Sequence, residues 1–437
     1  MQGQELLKFR SSAHVRKAWY PFQITASLGH MSQAVKQRKP MSNNASLIES
    51  LKQFAHYGAE VQEQRHGSLA ATNVPPTPET STLGPRVEHL SAAADGPLKS
   101  TISNQLKLPE WFVHELLCFG AVHWCPVPPA LSPMRAASMD SEHVAHLSAR
   151  RQAAVSIHGK QAEQCQPKRV TQDIAINKHA FIRVHVHPKR FPAVYTVDWQ
   201  ECVIYRGADY VVVHKPAGVQ VAPTVDNLLE NVLFCTAQAL QCAESLLITH
   251  RLDACTEGLL VVGRNRPFVQ HFNRLLQQPG AVRKFYKALT QHPPPTGKLT
   301  HHKTQEQVKG QPAHSQVHDS PVPGSQCCLL EVLDVSPVQV VHAVAAEWGP
   351  VAYEALLELH TGRTHQIRVQ LGAEGFPLYG DTMYANMAHS MSPKGHQEPL
   401  GAIGLQACKL MIAESEIISA STFEARLPWW TSSPSSK

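Results

Sequence analysis

The sequence lacks the features that mark a secreted, membrane-spanning or disulfide-built protein. No apolar run reaches the roughly 18 residues of a membrane-spanning helix, and no membrane segment is expected. No compact apolar segment stands near the N-terminus, so a secretory signal is not expected either. The ten cysteines are scattered and include no Cys-X-X-Cys pair. This pattern predicts buried or free thiols in a reducing compartment.

Charged residues are also scarce, at 17% of the chain against 43% hydrophobic residues, which predicts a buried core diluted by polar segments. A chain of 437 residues is too long for one ordinary domain and corresponds to about three. The net charge of +6 at pH 7 excludes an acidic solvating protein. A mild positive charge permits an anionic partner without requiring one.

The N-terminal segment is poor in acids. Its first 48 residues contain one acid, Glu5, with seven Lys or Arg and six Ser, a composition that resembles an organelle transit peptide. This favours an organelle, the chloroplast rather than the mitochondrion. The alternative is a disordered basic tail on a protein of the cytoplasm or nucleus. Residues 64–104, which include a Pro-rich stretch, are predicted to be a linker.

Two segments predict a small globular unit after this linker. Apolar residues at helical spacing predict a helix over 111–120 that ends at Gly120. Residues 181–187 alternate apolar and basic side chains, which predicts a half-buried strand whose Arg183 face suits phosphates. The alternative is a solvated edge strand whose charges prevent aggregation. Residues 130–168, between the two, are predicted to be a polar insertion.

From about residue 202 onward, strand-like runs are separated by turn signals, and one helix fits residues 266–277. Because strands dominate and helices are few, the predicted fold class is α+β. Residues 293–325 open with three prolines and are predicted to form a polar loop that interrupts this domain.

A polar cluster at residues 250–257 immediately precedes a Gly and an apolar, strand-like run. Asp253 would stand there on a rigid support with its carboxylate reaching into a cleft, as a nucleophile or general base requires. The structural alternative is an Asp that caps a turn or forms an ion pair with Arg251.

Two further segments are rich in hydrogen-bond donors. Residues 360–370 place two Arg, two His and two Thr around Gly362, a set suited to oxyanions such as phosphate. The histidines lie five apart, which is not the spacing of a helical zinc pair, so no metal site is predicted. Residues 283–289 interleave basic and aromatic side chains. They fit base stacking with phosphate contact, although an ordinary strand is favoured.

Five segments together resemble the motifs of the RluA-type RNA pseudouridine synthases, in the family's order over about residues 200–430. They lie at residues 215–218, 250–261, 284–288, 361–368 and 380–384. Residues 108–190 more faintly resemble a degenerate S4-type RNA-binding domain. The resemblance implies a catalytic domain with a mixed or antiparallel sheet over 196–437, an S4-like domain over 106–195, and an extension with a linker over 1–105.

The resemblance implies an enzyme that isomerises uridine to pseudouridine within rRNA or tRNA, as a monomer, without metal or organic cofactor. Asp253 would be the nucleophile or proton-transfer group at the ribose, and Arg368 would pair with it and favour its charged form. Tyr286 would lie against the target base and serve as a base. Arg251 would help to hold the flipped-out nucleotide, because the target base must leave a stacked helix. The expected RNA contacts are Arg251, Lys215, Arg363, His365 and Arg183, with structural charges as the alternative for Lys215 and Arg363.

Glu257 and Gln406 depart from the family pattern, which has Ser and His there. Glu257 is expected to point to solvent or, if close, to repel the charge of Asp253. The alternative function is a catalytically inactive RNA-binding protein, which the intact Asp253, Tyr286 and Arg368 disfavour. A glycoside hydrolase with paired carboxylates leaves the Arg-rich run unexplained. A protein kinase is excluded because its catalytic-loop Asn and Gly-rich loop are both missing.

Overall fold

The computed structural model describes residues 86–130, 139–159, 166–242, 245–306, 314–385 and 401–431. The chain divides into two compact units. The first comprises the chain up to Thr196 together with the separate segment Thr224–Leu229. The second comprises Val197–Pro223 and the chain from Glu230 onward. The predicted transit segment and most of the predicted linker lie outside the described residues. No helix within these described ranges is long and apolar enough to cross a membrane.

The first unit is built on a small antiparallel sheet. Its elements, in chain order, are β1 (Val87–Ser91), β2 (Gly96–Pro97), α1 (Leu98–Leu106), α2 (Glu110–Cys118), β3 (Val122–Cys125), α3 (Ser141–His158), β4 (Lys168–Val170), β5 (Ala175–Ile176), β6 (Phe181–His185) and a 3₁₀ turn (Pro192–Tyr195). The sheet has the order β1-β6-β3-β4, and β2 pairs with β5.

Strand β6 confirms the strand predicted at 181–187 and lies inside this sheet. Ile182 and Val184 are fully buried. Arg183 stands opposite His89 of β1 and His123 of β3. The edge-strand alternative is therefore wrong, because β6 is hydrogen-bonded to a neighbour on each side.

Helix α2 confirms the helix predicted at 111–120. Phe112, Leu116 and Leu117 have no exposed surface, so its apolar stripe faces the core of the first unit. The chain leaves the helix through Gly120, whose φ of +70° is the left-handed conformation that glycine adopts without strain.

The second unit is dominated by one large sheet. Its elements, in chain order, are β7 (Val203–Arg206), β8 (Tyr210–Lys215), α4 (Val232–Ala239), β9 (Leu247–Ile248), β10 (Glu257–Gly263), α5 (Arg266–Leu275), β11 (Val282–Thr290), β12 (Gly297–Glu306), β13 (His314–His318), β14 (Gln326–Gln339), α6 (His342–Trp348), β15 (Val351–Leu359), α7 (Gln366–Ala373), β16 (Leu405–Ile412) and β17 (Ser421–Glu424). The sheet order is β13-β12-β14-β15-β11-β16-β10-β8-β7, with β17 on β16 and β9 on β10. Strands β10 and β16 run parallel and their neighbours pair antiparallel, which confirms the α+β fold with a mixed sheet.

Three segments predicted to be irregular contain regular structure. The end of the predicted linker forms β1, β2 and most of α1, and the predicted insertion at 130–168 contains α3. The predicted loop at 293–325 contains β12 and β13, which pair with each other, and β12 also pairs with β14. Polar side chains hide these strands from a hydrophobic pattern, because backbone pairing with a neighbouring strand stabilises them instead.

A buried platform of strand β10 and helix α5 supports the segment that carries Asp253. Every residue of β10 is buried. Phe268 and Phe272 of α5 pack in one cluster with Leu259 and Val261 of β10. Helix α5 confirms the helix predicted at 266–277. Its N-cap is Asn265, whose side chain accepts a hydrogen bond from the Phe268 amide.

Candidate active site

A cleft in the second unit brings together six of the eight predicted site residues. Its volume is about 250 Å³. Strand β11, the segment before β10 and the segment that joins β15 to α7 all contribute side chains to it. The predicted residues that line it are Arg251, Asp253, Tyr286, Arg363, His365 and Arg368.

Two carboxylates hold the guanidinium of Arg368. Its Nη1 atom lies 3.3 Å from Oδ2 of Asp253. Its Nε and Nη2 atoms donate to the two carboxylate oxygens of Asp381 at 2.7 and 2.9 Å. This two-pronged contact fixes the plane of the guanidinium, so the remaining nitrogen points at Asp253. The predicted pairing of Arg368 with Asp253 is present in the structure.

Asp381 is a site residue to which the sequence analysis assigned no role. Arg368 is 1% exposed and Asp381 is 2% exposed, so both charges are buried. Burial acts against the charge of Arg368, but the hydrogen bonds and charge of Asp381 outweigh it and raise the pKa of Arg368. Asp381 stands in the fifth family-like motif, and that position was the only sequence signal for it.

Tyr286 is buried on β11 beside the catalytic candidate. Tyr286 pairs with Leu357 of β15 and with Ala407 of β16. Burial, and then the nearby Asp253 carboxylate, raise the pKa of Tyr286 well above its usual value near 10. The role of Tyr286 as a base stays a prediction.

His365 turns toward Asp253 and the core. Its Nδ1 atom lies 2.9 Å from the hydroxyl of Tyr384, and its Nε2 atom lies 3.8 Å from Oδ1 of Asp253. The Tyr384 ring, which has no exposed surface, also lies 5.2 Å from the guanidinium of Arg368. His365 was expected to contact RNA. The structure instead places it near the Asp253 carboxylate and in hydrogen-bond contact with Tyr384.

Lys215 is a structural charge. It is completely buried, and its Nζ atom donates to the backbone carbonyls of Pro216, Ala254 and Thr256 at 2.8, 3.0 and 2.7 Å. Two of these carbonyls follow Asp253 closely in the chain, so the lysine stabilises the turn that carries the carboxylate. Of its two interpretations, phosphate contact and structural charge, the structure supports the second.

Glu257 and Gln406, the two departures from the family pattern, contact each other. Glu257 is only 8% exposed, and the expectation that it points to solvent is wrong. Its Oε1 atom accepts hydrogen bonds from Nε2 of Gln406 at 2.8 Å and from the Trp429 amide at 3.3 Å. The pairing of β10 with β16 sets Glu257 directly opposite Gln406, so the carboxylate turns into the sheet.

The remaining basic residues differ in exposure. Arg251 and Arg363 are exposed at the cleft. His250 is partly buried, and its Nε2 atom accepts a hydrogen bond from the Val261 amide at 3.2 Å. Burial, and then the charge of Lys284, lower the pKa of His250 to about 3, so it is neutral at pH 7. Arg183 belongs to the first unit and does not line this cleft.

No group of three or more His, Cys, Asp or Glu side chains is arranged to hold a metal ion among the residues that the structure describes. The polar side chains that line the cleft with Asp253 are cationic or able to donate hydrogen bonds. Such a set suits an anionic or oxygen-rich ligand.

Comparison with known proteins agrees with the motifs and the cleft. The family model described as RNA pseudouridylate synthase matches residues 209–373. RNA pseudouridine synthase 6, chloroplastic, from Arabidopsis thaliana is 33% identical over 80% of this chain and 82% of its own length. The protein of the same name from Oryza sativa subsp. japonica is 34% identical over 79% and 80%. Ribosomal large subunit pseudouridine synthase D from Vibrio cholerae is 30% identical over 45% and 56%. The chain therefore belongs to the RNA pseudouridine synthase family, which includes the RluA-type enzymes that its five motifs resemble.

Proposed function

We propose that this protein converts specific uridines of rRNA or tRNA into pseudouridine, with Asp253, Tyr286 and Arg368 carrying the reaction. The observation that supports this most strongly is the buried chain of contacts from Asp381 through Arg368 to Asp253. This chain aims a charged carboxylate into the cleft. Pseudouridine joins C1′ of the ribose to C5 of the base, so the bond from C1′ to N1 breaks and a new one forms. The proton on C5 is lost to solvent and N1 gains a proton in its place, so the overall change is an isomerisation.

Asp253 is suited to the ribose side of this exchange. Its side chain is 14% exposed, enough to touch a bound nucleotide; Arg368 holds its Oδ2 atom, and His365 lies 3.8 Å from its Oδ1 atom. A carboxylate fixed in this way can act at C1′ when N1 departs. Because Arg368 is buried and always charged, the ionised carboxylate has a permanent partner.

Tyr286 is suited to the base side. Its ring can stack on the uracil, and its protonated hydroxyl can donate a hydrogen bond to a base carbonyl. Because its pKa is raised, Tyr286 would first have to lose its own proton before it could accept the one on C5. We therefore assign it to holding and orienting the base rather than to accepting the C5 proton.

The exposed arginines are suited to gripping the RNA. Arg251, two residues before Asp253, can fill the gap left by a flipped-out base, which offsets part of the few kcal/mol that unstacking costs. Arg363 can contact backbone phosphates. Arg183 of the first unit is proposed to contact RNA separately, in a region that we still interpret as S4-like. We propose that the enzyme acts as a monomer.

The relatives and the N-terminal segment support a proposal for the substrate and the compartment. One relative is named for the large ribosomal subunit and two are named chloroplastic. Together with the acid-poor first 48 residues, this favours an organellar RNA as the substrate. An inactive RNA-binding protein is disfavoured because Asp253 is present and Arg368 is held between the carboxylates of Asp253 and Asp381.

The function is tested in cells that lack the protein and are complemented with wild type or Asp253→Asn. Pseudouridine is mapped across organellar and cytosolic RNA. We expect wild type to restore modification at specific uridines. We expect Asp253→Asn to lower the rate of pseudouridine formation by at least about 10³-fold while RNA binding persists. Asp334→Asn, which removes an exposed carboxylate on β14, is the matched control. Equal modification with Asp253→Asn would refute the assignment.

A further inference from the structure

Strand β11 carries three cations, and two of them are neutralised by glutamates of β15. Arg283 donates to both carboxylate oxygens of Glu358 at 2.8 and 2.7 Å. The ammonium of Lys287 lies 2.7 Å from Oε1 of Glu354. No hydrogen bond or ion pair to Lys284 is found among the residues that the structure describes. The strand therefore presents one cation for which the described residues supply no counterion.

Lys284 faces the cleft. It lies two residues before Tyr286 on the same strand, so the two side chains share one face of the sheet, and both line the cleft. Its ammonium is close to Gly362, because a Cβ atom placed on that glycine would lie 3.3 Å from Nζ. Arg363 follows directly and is exposed at the cleft. A lysine, a residue without a side chain and an arginine thus meet in one part of the site.

The surroundings of Lys284 favour an anion. Burial lowers the pKa of Lys284, and no described carboxylate acts in the opposite direction. The charge of Lys284 helps to lower the pKa of the nearby His250. This histidine is neutral at pH 7 and is therefore not a counterion for Lys284. The acid that lines the same cleft, Asp253, is engaged with Arg368. A partly buried cation without a counterion is unfavourable unless a bound ligand supplies one.

We propose that Lys284, together with Arg363, binds a backbone phosphate of the target nucleotide while Tyr286 faces its base. This inference rests on the proposed function, since it takes the occupant of the cleft to be RNA. Phosphate oxygens accept charge-assisted hydrogen bonds from both an ammonium and a guanidinium. Gly362 leaves the space in which such a group fits. The contact fixes the register of the nucleotide and does not depend on the base.

The test measures binding of the full chain to oligouridylate RNA by fluorescence anisotropy over a range of salt concentrations. For Lys284→Met we expect roughly tenfold weaker binding at low salt. We also expect the slope of log K against log salt to be shallower by about 0.7, the value of one phosphate contact on a single strand. Lys287→Met is the matched control. It removes the same charge from the same strand, but from a side chain that Glu354 holds, and it should keep the wild-type slope.

Lys284→Arg guards against a folding defect, because it retains the cation and should keep most of the slope. Wild-type affinity and slope in Lys284→Met would overturn the proposal. Weaker binding with an unchanged slope would also overturn it, since that result assigns the lysine to an uncharged base carbonyl. These measurements need no turnover. A wild-type protein that binds RNA but forms no pseudouridine would refute the proposed function and leave the phosphate contact standing.

Discussion

Asp381 determines where the guanidinium of Arg368 points, although it contacts no substrate in the proposed reaction. Three donors of Arg368 are divided between two acids, and Asp381 takes two of them. Without that contact the guanidinium could rotate, and Asp253 would lose its aligned partner. A carboxylate buried behind an arginine is therefore a positioning residue, and its removal should change rate more than binding.

For Asp381→Asn, we expect the single-turnover rate to fall by about 10- to 100-fold, because the neutral amide holds Arg368 less firmly. RNA affinity should change little, since Asp381 is buried behind the cleft. Stability should fall by about 3 kcal/mol, as for other broken buried ion pairs. Asp381→Glu keeps the carboxylate and should recover part of the rate. A wild-type rate for Asp381→Asn, measured where it is folded, would contradict this role.

At the level of elements, the junction that leads into β10 holds the active carboxylate in place. The buried ammonium of Lys215, at the end of β8, binds carbonyls of this turn. Gly258, the second residue of β10, has a φ of +117° and lies against β16. A Cβ atom on this glycine would be 2.3 Å from the carbonyl oxygen of Ala407. Strand β16 therefore comes this close only because residue 258 has no side chain.

We expect Gly258→Ala to destabilise the protein by at least about 2 kcal/mol, because backbone strain and a clash with a neighbouring strand add together. Urea unfolding measures the loss. Gly280→Ala is the control, since Gly280 has a φ of +76° but a Cβ atom there would meet no atom within 4 Å beyond its chain neighbours. If both substitutions cost the same, backbone strain alone would explain the effect and the close approach of β16 would be irrelevant.

At the level of the whole molecule, the chain combines a synthase unit with a first unit and an acid-poor N-terminal segment. The relatives named chloroplastic match about four fifths of the chain. The N-terminal segment, with one acid and seven bases, has the composition of an organelle transit peptide, and we propose that it acts in targeting alone.

We expect the full chain, carrying a fluorescent protein at its C-terminus, to enter chloroplasts when expressed in a plant cell. The same fusion without residues 1–48 should stay outside, because the basic, acid-poor segment is removed. Microscopy with a chloroplast marker reports the result. An identical distribution of the two fusions would refute the targeting role. If the full-length fusion instead enters mitochondria, the mitochondrion is the target compartment.

The α+β fold class and most of the charged residues of the cleft could be predicted from the sequence, because the motifs that carry these residues are short and continuous. Asp253, Tyr286 and Arg368 each lie in such a segment, and each lines the cleft. The polar strands β12 and β13 could not be predicted, since pairing rather than apolar alternation stabilises them. The environment of Glu257 was missed because its partner Gln406 lies 149 residues away in the chain.

The sequence by itself determined the family-like motifs and therefore which side chains are available for chemistry on RNA. Only the tertiary structure decided which of the charges are free to act. Lys215 is satisfied by backbone carbonyls, whereas Lys284 faces the cleft without a described counterion. Whether a charge is neutralised depends on what lies within a few ångströms of it. In this protein, the pairing of strands far apart in the chain sets those distances.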